Sequence, residues 1–300
     1  MKILFVLSLF VVSIYGQGLV QILKYNGFTV FAGFLESHPE LLSRFTQTND
    51  VTIWAPINSA EVPGSSNGRL RVRDPSPADI SLMGSTTGPP PDPNVPSKRK
   101  RGAVPPLPPS NFVTLRTFLN DSQYVNLGSD QPGRVVSNYV GGAGVATLQV
   151  TSGTGDPVDQ VSGPFKYDKG LIYGVTSYFT LPKPLFESLT TVGLTEFRDA
   201  IVAQGFKKKL SETPGVTIFA PRHCPDKIDI SSHVITNGFL GFLPELYDQS
   251  ARQNPIKTDS GIPIRVTLKD GVFYVNGVRI IRSNIIVQNG VVYEIEKPLY

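Results

Sequence analysis

The sequence predicts an α+β fold built twice in tandem, because short motifs occur in two copies and in the same order. Val51 to Pro56, read as VTIWAP, returns as Val216 to Pro221, read as VTIFAP, which is 216 − 51 = 165 residues later. Upstream of each copy, Thr29-Val30-Phe31 matches Thr195-Glu196-Phe197 at nearly the same offset. Motifs that keep both their order and their spacing indicate one folding unit that has been duplicated.

A third motif shows where the two copies differ in length. Gly170 to Tyr173 matches Gly290 to Tyr293 at an offset of 290 − 170 = 120 residues, so the first copy carries 165 − 120 = 45 additional residues before this motif. A segment rich in glycine, serine and proline, about residues 61–109, has about that length and includes Pro89-Pro90-Pro91. Such a composition buries too little apolar surface to order itself, so we predict a disordered insertion there.

The N-terminus has the pattern of a secretory signal. A basic start precedes an apolar run of 12 residues, Ile3 to Ile14, whereas a membrane-spanning helix needs roughly 20 residues. Gly16 is small enough to precede a cleavage site, so we expect residues 1–16 to be a signal peptide and Gln17 to begin the mature chain. No second long apolar stretch follows, so we expect neither an integral membrane span nor a lipid anchor.

In the first copy, helices precede a short buried strand. Leu19, Ile22 and Leu23 begin a helical pattern that continues through Phe28 to Leu35. Val51 to Pro56 is the strand, with Trp54 as its core anchor and Pro56 as its last residue.

The second copy repeats this order. Leu194 to Lys209 predicts one amphipathic helix, and Val216 to Pro221 predicts the buried strand, with Phe219 as the core anchor. Pro221 ends the strand because proline lacks the N–H that a ladder needs. Phe239 to Leu246 predicts another short helix.

An antiparallel meander is predicted at the C-terminal end. Its four strands are Ile264 to Lys269, Val272 to Val275, Val278 to Ile281 and Val291 to Ile295. Asn276-Gly277 joins the second and third strands, and this pair predicts a type I′ turn because both residues tolerate positive φ.

The charge and the cysteine content exclude several classes of protein. The net charge is +4, from 28 basic and 24 acidic residues, and four of the positive charges lie in the run Lys98 to Arg101. A general nucleic-acid-binding surface is therefore not expected. Cys224 is the only cysteine, so no internal disulfide can form. Asn120-Asp121-Ser122 is the only N-glycosylation sequon, which makes Asn120 an expected glycan site in a secreted chain.

The basic run allows three interpretations. It can be a solvated charge run in a flexible segment, or a contact for a polyanion. It can also be a site of proteolytic processing after Lys100-Arg101, because exposed dibasic loops are readily cleaved.

Taken together, these motifs resemble the fasciclin domain family. The two strand motifs look like its first signature box, and Ile280 to Leu299 looks like its second. Ser232-His233-Val234-Ile235 stands where the family carries its central Tyr-His motif. In the first copy, Arg116-Thr117-Phe118 takes that place without a histidine.

The resemblance implies a fold and a class of function. Each domain is expected to be a wedge of two β-sheets with packed helices, and we place the domains at residues 18–185 and 186–300. The family also implies secreted or surface proteins that mediate adhesion or attach to matrix or cell wall. An Asp-Ile pair is tied to integrin binding in animal relatives, but here the positions read Asn284-Ile285 and Pro164-Phe165. Integrin binding is therefore not expected.

The candidates for chemistry are few. His223, Cys224, Asp226 and His233 offer metal ligands on paper, but a zinc site needs three or four ligands in a fixed shell. Adjacent residues on an extended segment point to opposite faces, so His223 and Cys224 are a poor base and nucleophile. We therefore expect no metal, no cofactor and no enzymatic activity, and we interpret His233 as a structural residue bonded to backbone.

The predicted function is association rather than catalysis. We expect a secreted protein that binds a glycan or a protein at the cell surface, cell wall or matrix, while a vacuolar destination and the oligomeric state stay open. One alternative is a binding module for a small apolar or saccharide ligand. The other is an enzyme whose site lies around His223, Asp226 and His233.

Overall fold

The computed structural model describes residues 18–62, 74–86, 112–140, 146–250 and 255–300. The predicted signal peptide and the Lys98 to Arg101 run, with its expected processing site at Lys100 and Arg101, lie outside the described residues. Within the described part, the helices and strands form two series with a similar order of elements.

The first series, which we call the first unit, begins with three helices. These are α1 (Leu19–Tyr25), α2 (Thr29–Ser37) and α3 (Pro39–Gln47). The continuous periodicity seen in the sequence is broken between α1 and α2 because Gly27 has a φ of +87°, which a helix cannot accommodate.

The sheet of the first unit has seven strands, with one further helix between the first two. In chain order these are β1 (Val51–Pro56), α4 (Pro77–Leu82), β2 (Gly84–Ser85), β3 (Val113–Arg116), β4 (Arg134–Val140), β5 (Thr147–Thr151), β6 (Pro157–Tyr167) and β7 (Gly170–Val175). Their order across the sheet is β2-β1-β7-β6-β5-β4-β3.

The second series, the second unit, repeats the arrangement with six strands. Its elements are α5 (Leu185–Thr191), α6 (Thr195–Ala203), α7 (Lys207–Glu212), β8 (Val216–Pro221), a 3₁₀ turn (Ile230–His233), β9 (Val234–Ile235), α8 (Leu243–Ser250), β10 (Val266–Lys269), β11 (Val272–Val275), β12 (Val278–Val287) and β13 (Gly290–Ile295). The sheet order is β10-β11-β12-β13-β8-β9.

The duplication predicted from the motifs is confirmed in the strand pairing. In the first unit β1 runs parallel to β7 with Val51 opposite Gly170, and in the second unit β8 runs parallel to β13 with Val216 opposite Gly290. Both glycines are required, because a Cβ on either would overlap the carbonyl oxygen of the valine opposite. The placement of the domain boundary between residues 185 and 186 stays a prediction.

The long strands β6 and β12 occupy the same place in the two units. Each is broken by two register shifts against its neighbour, and the shifts fall at equivalent positions, such as Ser162 to Phe165 and Arg282 to Ile285. Such bulges bend a strand and increase its twist. The two sheets of the expected wedge therefore share one bent strand, and the hydrogen bonding of each unit is continuous.

Aromatic pairs of the same kind anchor the two cores. Trp54 stacks on Tyr173 with ring centroids 5.1 Å apart, and Phe219 stacks on Tyr293 at 5.4 Å. All four side chains are buried. Because the members of each pair come from the two parallel strands, the conserved pairing of those strands also sets the core packing.

The prediction of a disordered insertion over residues 61–109 is wrong for residues 74–86. Ser76 and Asp79 form a capping box that starts α4, with Ser76 N and Oγ both donating to Asp79 Oδ2. Ile80, Leu82 and Met83 then enter the core. Local capping and three buried apolar side chains overcome the ordering entropy there. Residues 63–73 and 87–111 lie outside the described residues.

Two predicted helices of the second unit differ in extent. The predicted helix over Leu194 to Lys209 is two helices, because Gly205 has a φ of +75° between α6 and α7. The helix predicted over Phe239 to Leu246 begins later, at Leu243. The turn prediction is confirmed, since Asn276 and Gly277 have φ of 48° and 76° and join β11 directly to β12.

The two units pack against each other. Gln288, in the β12–β13 turn, accepts a hydrogen bond from Asn126 N at 2.6 Å and donates from Nε2 to the carbonyl of Ser122 at 2.9 Å. Phe112 of the first unit meets Phe273 of the second edge-on, with centroids 5.6 Å apart. These contacts join residues more than 150 positions apart and fix the mutual orientation of the units.

Candidate functional site

His233 is buried at the junction between the 3₁₀ turn and β9, with 1% of its surface exposed. Its Nδ1 donates to the carbonyl of Asp229 at 2.9 Å, and its Nε2 accepts from the backbone N–H of Leu299 at 2.9 Å. Burial holds the pKa of His233 below its ordinary value. Both ring nitrogens are therefore committed to backbone groups and the imidazole is neutral, which leaves it no free position for proton transfer.

Met83 occupies the equivalent position in the first unit. It precedes β2 as His233 precedes β9, and its Sδ accepts from the backbone N–H of Phe179 at 3.4 Å. The sequence comparison placed Arg116-Thr117-Phe118 here, and that assignment is wrong because Arg116 belongs to β3. His233 and Met83 share one property: each provides a buried acceptor for the backbone N–H at the equivalent position of its unit, Leu299 and Phe179 respectively.

The neighbouring loop brings His223 and Cys224 to Glu196 on α6. Glu196 accepts from the backbone N–H of Cys224 at 2.9 Å, while its other oxygen lies 3.6 Å from Nδ1 of the exposed His223. Burial, together with the Glu196 charge, raises the pKa of the Cys224 thiol to about 11. A thiol protonated at neutral pH is a poor nucleophile and a poor metal ligand.

The remaining candidates do not assemble into a reactive centre. Asp226 is exposed in the same loop. Across the described residues, no group of three or more histidine, cysteine, aspartate or glutamate side chains is arranged to hold a metal ion. The contacts of Glu196 with Cys224 and His223 therefore connect α6 to the loop that follows β8.

Asn284, at the position where animal relatives carry an acidic residue, is buried. Its Oδ1 accepts from the backbone N–H of Leu243 at 2.9 Å and lies 3.4 Å from the Tyr293 hydroxyl. Asn284 also has a φ of 55°, which asparagine tolerates better than most residues. In the first unit Pro164 follows a cis peptide bond from Gly163. Neither residue presents a charge to a partner.

Asn120 is exposed at the start of the loop that reaches the second unit. It lines a shallow groove of about 210 Å³ together with Arg44 and Asp121. The side chain of Asp121 caps its own turn by accepting from Gln123 N at 2.9 Å. The position is accessible, and its glycosylation stays a prediction.

A larger cavity of about 520 Å³ opens at the end of the sheet where β1 and β7 begin. Its lining combines polar and apolar groups and includes both signs of charge; the residues are Asn49, Asp50, Val51, Thr52, Lys166, Tyr167, Asp168, Lys169, Gly170 and Leu171. The volume falls within the range of small-ligand sites. No sequence motif marks it, so sequence reasoning missed it.

Thr52 is the unusual member of this lining. It is 1% exposed, and its hydroxyl has no hydrogen-bond partner among the described residues. A buried hydroxyl without a partner costs free energy, roughly 1–3 kcal/mol. The equivalent residue of the second unit, Thr217, is fully paired: it donates to the carbonyl of Phe239 at 2.9 Å and accepts from Gly241 N at 2.8 Å.

None of the described helices is both long enough and apolar enough to cross a bilayer.

Comparisons with known proteins find similarity to fasciclin-domain proteins. Residues 230–300 match the family model described as the fasciclin domain. The chain is 25% identical over 201 residues to a fasciclin-like arabinogalactan protein, CTB11, of Cercospora beticola, covering 62% of this chain and 52% of that protein. It is also 25% identical over 197 residues to a fasciclin-like arabinogalactan protein of Arthroderma benhamiae, covering 61% and 44%. The chain thus spans about half the length of the curated relatives it matches.

Among solved structures, the chain is similar to a FAS1 domain pair from the insect cell adhesion molecule fasciclin I. The sequence identity is 13% and the TM-score is 0.38, over 92% of this chain and 98% of that one.

Proposed function

We propose that the chain, which is similar to proteins of the fasciclin family, is a secreted member of that family and associates with the cell surface, cell wall or matrix without catalysis. Contact through exposed surfaces of the two units is the mechanism. The partner is a glycan or a protein of that environment.

The observation that carries this proposal is that His233 has a structural role in the fold. Of the three histidines it is the buried one, and both of its ring nitrogens bond to backbone. The nearby thiol of Cys224 has a raised pKa and stays protonated at neutral pH. His233 contributes to the fold and the Cys224 thiol stays protonated, which supports a role in binding rather than in catalysis.

The relatives support the compartment. The two curated proteins are named fasciclin-like arabinogalactan proteins. From these names we infer that this chain is located among glycan-rich extracellular polymers. The apolar run of Ile3 to Ile14, as a secretory signal, would direct the chain to that location.

Two units in one chain favour avidity. The contacts of Gln288 and Phe273 with the first unit hold the two surfaces at a fixed spacing. A second contact then becomes intramolecular, which strengthens binding by a factor set by the effective concentration.

The test is retention of the full chain on insoluble fractions. The protein, made in a secreting host, is incubated with intact cells, cell wall and extracellular matrix, each at low and at physiological salt, and the bound fraction is measured against protein concentration. We expect saturable retention on at least one fraction. A chain that stays in the supernatant with all three contradicts the proposal, and an unrelated secreted protein of similar mass and charge is the control.

A second candidate function is supported by the cavity beside Thr52. A binding module for a small saccharide would use the carboxylates of Asp50 and Asp168 and the ammonium groups of Lys166 and Lys169, which all line it. A sugar that co-purifies with the protein would support this function.

Processing at Lys100-Arg101 remains part of the proposal. We expect some two-chain protein cut after Arg101 in secreted material. Mass spectrometry that finds intact chain alone contradicts it.

A further inference from the structure

The groove that Asn120 lines, which we call the Asn120 groove, lies between α3, α4 and the loop that follows β3. Its volume is about 210 Å³. Sites for drug-sized ligands are larger, roughly 300–1,000 Å³. The groove therefore has room for one sugar ring rather than for a longer saccharide.

The lining of the Asn120 groove is buried and mostly apolar in its depth and polar at its rim. The buried lining residues are Leu41, Ser81 and Leu119. The exposed charged lining residues are Glu40, Arg44 and Asp121. A pyranose ring has the matching character, because it carries C–H groups on its faces and polar groups around its edge. A single sugar could thus bury one face and still hydrogen-bond at the rim.

The backbone fixes Asn120 on both sides. Leu119, the residue before it, is buried, and its carbonyl accepts from the backbone N–H of Gly133 at 2.7 Å. Asp121, the residue after it, accepts through its carbonyl from the backbone N–H of Tyr124 at 2.9 Å. The exposed side chain of Asn120 therefore starts from a well-anchored position at the edge of the groove.

Arg44 provides hydrogen-bond donors at the rim. Its equivalent in the second unit, at position 44 + 165 = 209, is Lys209, whose Nζ is paired with Asp259 at 2.7 Å. Arg44 is exposed, and its Nη1 lies 3.5 Å from the carbonyl of Phe118, which is long for a hydrogen bond. Because a guanidinium has five N–H donors, Arg44 retains donors for a hydroxyl or an acetamido carbonyl.

We propose that the Asn120 groove holds the first N-acetylglucosamine of an N-linked glycan on Asn120, so that this sugar packs on the protein instead of extending into solvent. The inference rests on the secretion that the proposed function includes, because this glycan is added in the secretory pathway. Glycosylation joins Asn120 Nδ2 to C1 of the sugar. The amide loses one proton, and a lipid pyrophosphate leaves from C1.

The covalent bond to Asn120 explains how so small a groove is occupied. A free sugar loses translational and rotational freedom on binding, and the few contacts of a shallow groove do not offset that cost. A sugar attached at the edge of the groove is already at a high effective concentration. A small number of contacts then suffices to hold it.

The experiment compares three forms of the full chain made in a secreting eukaryotic host that adds high-mannose glycans. The first form keeps the whole glycan. The second is trimmed by an endoglycosidase to a single N-acetylglucosamine, and the third is Asn120→Gln, which carries no sugar. Mass spectrometry verifies the sugar on each form. Amide hydrogen exchange is then measured in peptides that cover residues 40–44 and 77–81.

We expect the whole-glycan form and the single-sugar form to exchange roughly fivefold more slowly in these two peptides than Asn120→Gln, the equivalent of one added hydrogen bond. Exchange in the helices of the second unit should be the same in all three forms. The single-sugar form is the sharpest comparison, because the groove accommodates only the first ring.

Two variants test whether the groove itself provides the protection. Ala78→Met places a longer side chain in the groove while keeping a good helix former in α4, and Arg44→Ala removes the donors at the rim. Ala203→Met is the matched control, because Ala203 is an exposed helical alanine in the second unit. Each variant is compared with its own sugar-free Asn120→Gln counterpart. Ala78→Met and Arg44→Ala should reduce the protection by the sugar, and Ala203→Met should keep it.

Four results would overturn the inference. These are secreted protein without a glycan on Asn120, equal exchange in all three forms, protection that is lost on trimming to one sugar, and an equal loss of protection in Ala203→Met and Ala78→Met. If the groove fails while the full chain is still retained on cell wall, matrix or cells, the association function stands. If the sugar protects the groove while retention fails, the association function is wrong and this inference stands.

Discussion

Replacement of His233 by alanine should destabilise the second unit by about 3–5 kcal/mol. The buried Leu299 N–H would lose its acceptor, which costs roughly 1–3 kcal/mol, and the Asp229 carbonyl would lose a donor, worth about 1 kcal/mol. The imidazole, packed 6.0 Å from the Phe197 ring, would leave a cavity that accounts for the remainder.

The first unit provides a matched replacement. Met83 makes the equivalent acceptor contact with Phe179 N, so His233→Met should preserve the hydrogen bond to Leu299 and lose only the bond to Asp229. We expect it to cost roughly half as much as the alanine variant, since a sulfur acceptor is weaker than a ring nitrogen but fills the space.

The same residue predicts a pH dependence. Burial lowers the pKa of His233 in the folded state, so the unfolded chain binds the proton more readily. Stability should therefore be full above the ordinary histidine pKa of about 6.5 and should fall as the pH drops from there toward the lower folded value. The methionine variant lacks this contribution.

Urea unfolding measured at several pH values between 5 and 8 tests the reasoning. The difference in unfolding free energy between wild type and His233→Met should shrink as the pH falls. An unchanged midpoint for His233→Ala, or a pH-independent difference between wild type and the methionine variant, would refute the structural role.

Three further predictions concern the core, the contact between the units, and the surface. Trp54→Ala and Phe219→Ala should each cost about 3–5 kcal/mol in urea unfolding, and a loss below 1 kcal/mol would contradict their role as core anchors. Glu245 accepts a hydrogen bond from Thr114 at 2.8 Å across the units, and burial raises the pKa of its carboxyl. The contribution of Glu245 to the free energy of unfolding should therefore fall as the pH rises above about 4.5, and Glu245→Gln should gain stability relative to wild type over that window. A difference in unfolding free energy that does not change with pH would contradict this prediction. Asn120→Gln should remove glycan mass from protein made in a secreting eukaryotic host, and identical masses by mass spectrometry would exclude that site.

The duplicated framework was readable from the sequence because it depends on local patterns. The two strand motifs are compact apolar runs closed by proline, and each pairs with a strand that begins with a glycine the close approach demands. Asn276-Gly277 likewise forms the turn that its two residues favour. Such features depend on residues that are neighbours in the chain, so they can be recognised from one sequence alone.

The amino-acid composition of the insertion led to the wrong prediction of disorder for residues 74–86. Ser76, Pro77 and Asp79 were a legible capping signal, but the glycine, serine and proline around them dominated the average. The first unit's substitute for His233 was missed for a different reason. Met83 and His233 have no chemical likeness in a sequence comparison, and their shared task appears only when their backbone partners are known.

The candidate binding site could not be predicted at all. Thr52 and Thr217 stand in nearly the same motif, and what distinguishes them among the described residues is whether the hydroxyl has a hydrogen-bond partner. The contact of Gln288 with the loop of Asn126 is equally invisible, since it joins residues far apart in the chain. Long-range contacts of this kind follow from the packed fold rather than from local pattern.

Retention of the His233→Met protein on cell wall, matrix or cell-surface fractions tests most directly whether the protein acts by association without chemistry. The variant removes the one buried imidazole and preserves the backbone contact that Met83 already makes in the first unit. Our account predicts a folded variant that is retained as well as wild type. A folded variant that has lost its retention, or an activity of the wild type that disappears with the imidazole, would contradict it.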